Sequence, residues 1–224
     1  MTKNGTLHPP RRAVDHVVFD WNGTLIDDCA LAVATVNVLR AERRMARITQ
    51  EQYRRSFRFP ISAFYRDMGF AVDAGAFSAL MAQYLALFDA RVDDCPLHAG
   101  ALAVVERLRA AGVGVHILSA SRHETLVRSL GARGLSRAFD RVAGLRDSLA
   151  SDKVGLGRAL AGDLGADPRR VLYVGDTDHD HEVAVALGWG FLFADHGHQA
   201  AASGAPHCAR TITALDQILS HVDP

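Results

Sequence analysis

Three aspartates follow apolar runs of the sequence in a way that suits a hard metal ion. Asp20 ends the apolar run VVF, while Asp176 and Asp180 lie far away along the chain, in the stretch LYVGDTDHD. Carboxylates at separate strand ends supply the oxygen ligands that Mg²⁺ prefers, and the ion keeps waters that a phosphate can displace. These residue types therefore predict a metal site that binds a phosphorylated ligand.

Two further polar side chains suit the remaining oxygens of a phosphate. Ser119 ends the run VHILS, and Lys153 opens the helical segment KVGLGRALAGDL, just before the run that carries Asp176. Lys153 is easy to single out because the chain has only one other lysine, Lys3. A hydroxyl group and an ammonium group at neighbouring strand ends would complete the site.

An alternation of short apolar runs and helical patterns predicts the scaffold that positions these residues. Helix-length segments such as 99–111 separate the later runs. Near-continuous apolar strands separated by helices indicate a parallel sheet covered on both faces, so the predicted fold class is α/β. The predicted strands are 14–20, 113–118, 139–144, 170–176 and 189–194.

A helical insert interrupts this alternation after the first strand. Residues 28–97 contain helical patterns with a break at 57–60, and no good strand. We expect residues 1–27 and 98–224 to form the core domain. Residues 28–97 would form a small helical cap above the carboxyl ends of the strands, where open α/β sheets bind ligands.

Composition argues against several classes of partner. The 25 basic and 25 acidic residues balance, and the pI of about 7.2 gives no sign of nucleic acid or of an acidic membrane surface. The three cysteines form no C-x-x-C pair, so neither a disulfide framework nor a zinc knuckle is expected. The opening segment has no apolar run of the signal-peptide type, and no run approaches the roughly 18 apolar residues of a spanning helix. We therefore expect a cytoplasmic protein.

Taken in order, these stretches resemble the four motifs of the haloacid dehalogenase superfamily, on its phosphatase side. The segment DWNGT (20–24) is similar to the first motif, D-x-D-x-T, except that Asn22 replaces the second aspartate. Ser119, Lys153 and the G-D-x-x-x-D stretch 175–180 match the second, third and fourth motifs. The resemblance implies a Rossmann-like parallel sheet. It also places the insert where phosphoglycolate-phosphatase-like members carry a C1 cap.

The resemblance assigns chemical roles to the aspartates. Asp20 would attack phosphorus and form an aspartyl-phosphate. Mg²⁺ would be held by Asp20, Asp176 and the backbone carbonyl of Asn22, with Asp180 assisting. The resemblance thus implies a magnesium-dependent phosphohydrolase acting on a small phosphorylated metabolite, as a monomer or a homodimer.

Candidate contacts with the substrate come from the cap and from the strand ends. Arg58, beside Phe59-Pro60 in the cap, is a candidate to face an anionic substrate, and His123, near a predicted strand end, is a second candidate. The transferring phosphoryl group would be bound by Thr24, Ser119, Ala120 and Lys153.

Asn22 is the departure from the family pattern. The aspartate at this position protonates the leaving group and then activates the hydrolytic water, and a carboxamide can do neither. We expect slow release of phosphate after a fast first turnover, and Asn22→Asp to raise steady-state turnover by about tenfold or more. Otherwise His123 or His179 would supply the base.

Each motif residue also has an ordinary structural explanation. His123, His179 and His181 are most simply solvated or support other site residues. The cap arginines most simply form a solvated helix face, and they are Arg54, Arg55, Arg58 and Arg66. Asp20 could form an Asx-turn, and Ser119 could cap a helix at 122–131. Lys153 could lie at a solvated helix start, while Asp176 and Asp180 could be turn or helix-start charges.

Other functions remain open on sequence grounds. Dehalogenases of this superfamily need no metal, which Asp176 and Asp180 argue against. Phosphonate-cleaving relatives use a cap lysine, and residues 28–97 contain none. The alternative hypothesis, from a different class of function, is a catalytically weak protein of the same fold. Such a protein would bind phosphate, transfer phosphoryl groups or act in regulation.

Overall fold

Apolar runs of the sequence form one parallel sheet in the computed structural model, which describes residues 14–145, 153–202 and 204–222. The strand order is β3-β2-β1-β4-β5-β6, and every neighbouring pair is parallel. The α/β, Rossmann-like class is thereby confirmed. The strands are β1 (His16–Phe19), β2 (Gly114–Arg122), β3 (Arg141–Leu145), β4 (Val171–Gly175), β5 (Gly190–Ala194) and β6 (Thr211–Ile212).

Helices cover both faces of the sheet and fill the insert after β1. None of the helices in the described part of the chain is long and apolar enough to cross a membrane. The helices are α1 (Cys29–Glu42), α2 (Gln50–Ser56), α3 (Ile61–Asp67), α4 (Ala74–Asp89), α5 (Ala101–Ala110), α6 (His123–Ala132), α7 (Lys153–Leu164), α8 (Asp178–Leu187) and α9 (Leu219–Val222). Short 3₁₀ turns lie at Val92–Asp94, Pro168–Arg170, Pro206–Cys208 and Leu215–Ile218.

The first strand shows why the sheet is buried on both sides. Val17, Val18 and Phe19 have no exposed surface, because successive side chains of a strand point to opposite faces. Val17 and Phe19 pack in one hydrophobic cluster, and Val18 packs in a second cluster on the other face. The continuous apolar run therefore reflects a central strand, as expected for a parallel sheet.

The insert leaves and rejoins the core through two segments that lie side by side. The Asp27 amide donates to the Pro96 carbonyl at 2.9 Å, and the His98 amide donates to the Leu25 carbonyl at 2.9 Å. Between these segments the described chain is helical apart from connecting turns. This arrangement supports the predicted division into a core and a cap at 28–97, which stays a prediction.

Helix α2 of the insert is tied to the loop that follows β5, which we call the 195–200 loop. Arg54 donates to the Asp195 carboxylate and to the Gly197 carbonyl, both at 2.8 Å. The Ala200 amide donates in turn to the Arg54 carbonyl at 3.0 Å. Arg54 therefore joins the insert to the core, whereas the simplest expectation was a solvated helix face.

Candidate active site

The candidate site lies where the strand order reverses. The first strand pairs with β2 on one side and with β4 on the other, and in open α/β sheets ligands bind outside the carboxyl ends of strands at this point. Asp20 directly follows β1, and Asp176 directly follows β4. Asp180 lies in the first turn of α8. The topology thus brings together three carboxylates that are far apart in sequence.

Lys153 joins two of these carboxylates. Its Nζ donates to Asp20 Oδ1 at 2.9 Å and to Asp180 Oδ1 at 2.6 Å. The lysine is 4% exposed, so it is not a solvated residue at the start of α7. Burial alone would lower the pKa of Lys153, but the charges of Asp180 and Asp20 outweigh it and raise the pKa, so the ammonium group stays protonated.

Asp180 serves the local fold as well as the cluster. Its Oδ2 accepts hydrogen bonds from the Thr177 amide at 3.1 Å and from the Thr177 hydroxyl at 2.7 Å, which closes a capping box at the start of α8. Tyr173 donates its hydroxyl to Asp180 Oδ1 at 2.9 Å. The helix-start explanation of Asp180 is therefore correct, and the same carboxylate also binds Lys153.

The three carboxylates fit a hard cation. Asp20, Asp176 and Asp180 each offer an oxygen within 4.8 Å of the others. Burial, with the neighbouring carboxylates adding to it, raises the pKa of Asp20 to about 7, and burial also raises the pKa of Asp176 to about 6. A buried group of three acids with one lysine carries excess negative charge, which a divalent cation with oxygen ligands would neutralise.

Asp176 is held in position from two sides. Its Oδ1 accepts from the Thr24 hydroxyl at 2.9 Å, and its Oδ2 accepts from the His198 amide at 2.6 Å. A Cβ atom at Gly23 or at Gly197 would collide with this carboxylate, and Gly23 also has φ +73°. Thr24 is fully buried, and its hydroxyl binds Asp176. The resemblance had implied that Thr24 contacts the phosphate.

Asn22 is held by two polar side chains. Its Nδ2 donates to Asp28 Oδ2 at 2.5 Å, and its Oδ1 accepts from the Ser121 hydroxyl. Asp28 is fully buried and also accepts at Oδ1 from the Gly23 amide at 2.8 Å. The carboxamide is therefore fixed in one orientation by a neighbouring carboxylate.

Asp28 in turn forms an ion pair with His198. The His198 Nε2 lies 3.1 Å from Asp28 Oδ1, and its Nδ1 lies 3.1 Å from the Tyr53 hydroxyl of α2. Burial opposes both charges, but the His198 charge lowers the pKa of Asp28, and the Asp28 charge raises the pKa of His198 well above its usual value. A charged pair thus lies beside the place where the family motif has its second aspartate.

Ser119 and Ala120 lie at the edge of a cavity of about 800 Å³ between the insert and the strand ends. Asp20, Asn22 and Lys153 line the same cavity. Ser119 is 1% exposed, and its Oγ accepts from the Ser121 amide at 3.1 Å. It does not cap the following helix, because α6 begins at His123.

Both predicted substrate residues lie apart from this group. Arg58 is exposed and pairs with Asp67 at 2.5 Å. His123 lines a separate cavity of about 250 Å³, next to β3 and α7. Neither is among the described residues that line the large cavity, so the structure does not bring them to the candidate site. His179 does line it, where its ring stacks on Phe59 with centroids 4.5 Å apart.

Sequence reasoning missed Asp28, Ser121, His198 and Tyr53. His198 follows the predicted fifth strand. Asp176 was identified because it follows a strand, and the same criterion would also have placed His198 at this edge of the sheet. Asp28 follows the first motif directly, but an adjacent Asp27 gave no reason to prefer it. Tyr53 gave no signal, because a tyrosine in a helical pattern is an ordinary core residue.

A capped α/β sheet with three carboxylates and a lysine at its switch point defines a class of hydrolases that includes phosphatases. The chain belongs to the haloacid dehalogenase-like hydrolase family, whose model matches residues 17–194. The resemblance drawn from the four motifs is thereby confirmed.

Relatives and solved structures agree with this assignment. Over 206 residues the chain is 26% identical to the phosphoglycolate phosphatase of Rhodobacter capsulatus, covering 87% of this chain and 90% of the relative. Over 186 residues it is 26% identical to the phosphoglycolate phosphatase of Synechococcus elongatus, covering 78% and 84%. A predicted phosphatase from Clostridium acetobutylicum superposes with a TM-score of 0.80 at 16% identity, covering 94% of this chain and 98% of that one, and shows the shared fold.

Proposed function

We propose that the protein is a magnesium-dependent phosphatase that cleaves phosphate monoesters through an aspartyl-phosphate. The observation that carries the proposal is the group formed by Asp20, Asp176, Asp180 and Lys153 at the switch point, beside a cavity able to hold an organic ligand. The phosphoglycolate phosphatases to which the chain is similar support the same class of reaction.

Asp20 is the proposed nucleophile. It is 7% exposed, directly follows β1 and lines the cavity, so a phosphate in the cavity can approach it. Lys153 would neutralise the phosphoryl oxygens while it holds Asp20 in place, and the Ser119 hydroxyl would bind another oxygen. Phosphoryl transfer depends mainly on such positioning and on charge stabilisation.

The carboxylates would also hold the metal. Asp20, Asp176 and the backbone carbonyl of Asn22 are the proposed ligands, with Asp180 assisting. When bound, Mg²⁺ would supply positive charge against the phosphoryl oxygens. The Thr24 hydroxyl and the His198 amide would keep Asp176 turned toward it.

The test is a phosphate-ester panel with and without Mg²⁺, combined with mass measurement of the protein after acid quench. We expect metal-dependent turnover and a phosphate adduct, which Asp20→Asn abolishes and Asp163→Asn on α7 leaves unchanged. Asp176→Ala should remove both activity and phosphate binding. Undiminished turnover in EDTA, or full activity of Asp20→Asn, would contradict the proposal.

Asn22 favours phosphoryl transfer as a second candidate function. An amide held by Asp28 and Ser121 cannot deprotonate the water that hydrolyses the aspartyl-phosphate. A slowly hydrolysed intermediate leaves time for transfer to another acceptor. A burst of product equal to one enzyme equivalent, followed by a rate that rises with added alcohol, would support it.

A further inference from the structure

The cavity above Asp20 differs in character between its floor and its walls. Asp20, Ser119 and Lys153 form the floor at the strand ends. The walls come mostly from the insert. If the floor binds a phosphate as proposed above, the walls must contact the organic part of the substrate, so an inference about the substrate rests on the proposed function.

The walls are mainly aromatic and apolar. Tyr65 has edge contacts with Phe77 and Tyr84, at centroid distances of 6.3 Å each. Tyr84 stacks on Phe88 at 5.4 Å, and Met81 lines the same side. Phe77, Met81 and Tyr84 are only half-buried, so they leave apolar surface for a ligand to cover.

The cationic side chains among the described lining residues already have acidic partners. Lys153 binds Asp20 and Asp180, and His198 pairs with Asp28. A second negative group on the substrate would therefore find no unpaired cation in this part of the chain. The other two pairs are Arg122 with Asp89 and His179 with Glu182.

The same pairs argue against a small dianionic acid as the substrate. The carboxylate of phosphoglycolate would lose its hydration among aromatic rings, and the cationic side chains that line the cavity already have acidic partners. Cavities of about 300–1,000 Å³ enclose ligands of drug size. A volume of about 800 Å³ is therefore large for a two-carbon group.

From size, lining and charge together, we infer that the substrate is a phosphate monoester of an uncharged apolar alcohol large enough to carry an aromatic ring. The phosphate would lie on the floor beside Asp20 and Lys153. The apolar group would extend between α4 and the segment after α2. Phosphoglycolate would be a poor substrate.

The test compares alkyl phosphates of similar leaving-group basicity. We expect kcat/KM for 2-phenylethyl phosphate to exceed that for ethyl phosphate and for phosphoglycolate by about 100-fold or more, because one methylene alone gives roughly 10–200-fold in an apolar pocket. Met81→Lys should reduce this preference by placing an unpaired cation against the ligand. Ala86→Lys, on the exposed face of the same helix, should leave it unchanged.

Acetyl phosphate separates this inference from the proposed function, because it tests the floor of the cavity without an apolar group. Turnover of acetyl phosphate together with equal or better use of phosphoglycolate would overturn the substrate class and leave the phosphatase proposal intact. Failure of every phosphoryl donor to react, in intact protein with Mg²⁺, would overturn both. The comparison of substrates on the unaltered protein holds even if the Met81 variant fails to fold.

Discussion

Asn22 and Asp28 allow a reciprocal exchange that tests how the site is built. Asn22→Asp alone restores the family residue, but it replaces Nδ2 with a carboxylate oxygen. That oxygen would face the Asp28 oxygen to which Nδ2 now donates at 2.5 Å. Two unit charges 4 Å apart repel by about 4 kcal/mol at an effective dielectric constant of about 20. The structure therefore changes the expectation from sequence that this single substitution raises turnover tenfold.

The size of the charge repulsion relative to the catalytic contribution decides whether Asn22→Asp raises or lowers turnover. Positioned acid–base catalysis contributes about 10² to 10⁴-fold, or roughly 3–5 kcal/mol of barrier. A new aspartate repelled by Asp28 turns away and supplies little of this. We expect Asn22→Asp to lower Tm by roughly 10 °C, at about 2–4 °C per kcal/mol for a chain of this size, with less than about a tenfold change in turnover.

The double variant Asn22→Asp with Asp28→Asn restores complementary partners. The carboxamide oxygen introduced at position 28 would accept from the Gly23 amide and from His198 as Asp28 does now, and the new NH₂ group would donate to the carboxylate at position 22. Ser121 would still donate to residue 22. We expect wild-type Tm within a few degrees and hydrolysis of the aspartyl-phosphate about tenfold faster or more.

Rapid-quench measurement of dephosphorylation, with acetyl phosphate as donor, follows the step that needs the base. Asp28→Asn alone is the matched control and should not accelerate this step. An Asn22→Asp variant that is as stable as the wild type and at least tenfold faster would refute the repulsion argument. A stable exchanged variant with no gain would show that acid–base catalysis does not limit turnover.

Two further predictions concern the fold. Replacement of residues 28–97 by a short glycine linker should leave a core that unfolds cooperatively in urea, because the two segments that connect the insert to the core lie side by side. Loss of the cooperative urea transition would contradict the division into core and cap. Burial and the adjacent His16 lower the pKa of His116 to about 4, so the unfolded chain binds a proton that the folded chain does not. The contribution of His116 to the free energy of unfolding should therefore fall by up to about 3 kcal/mol between pH 7 and pH 4. The difference in unfolding free energy between the wild type and His116→Gln, measured by denaturant titration at the two pH values, should change by that amount.

The sequence predicted the sheet well because a central parallel strand is buried on both faces and shows this as a continuous apolar run. The run at 14–20 becomes β1, and the run at 170–176 becomes β4. The sixth strand, Thr211–Ile212, was missed, since two residues at a sheet edge produce no periodicity. The carboxyl end of β2 was also missed, because the strand continues past Ser119 through an irregular stretch to Arg122.

For the candidate site, the expectation that polar residues at the carboxyl ends of parallel strands lie together was correct for Asp20 after β1 and Asp176 after β4. The same expectation does not predict residues whose positions depend on the insert. Arg58 was proposed from its neighbours in sequence, but it lies in the connection between α2 and α3 and pairs with Asp67. Asp28 and His198 meet across 170 positions, and their pairing depends on how the 195–200 loop folds back over the first motif.

The contacts of α2 with the 195–200 loop connect the insert to the proposed metal site. If the insert swings away, Tyr53 and Arg54 must leave this loop or pull the loop with them. The amide of His198 lies within the loop and holds Asp176 at 2.6 Å. Opening the cavity to admit substrate or release phosphate would therefore loosen a proposed ligand of the cation. The site would be fully assembled only while the insert excludes bulk water, so access and affinity for the metal would change together.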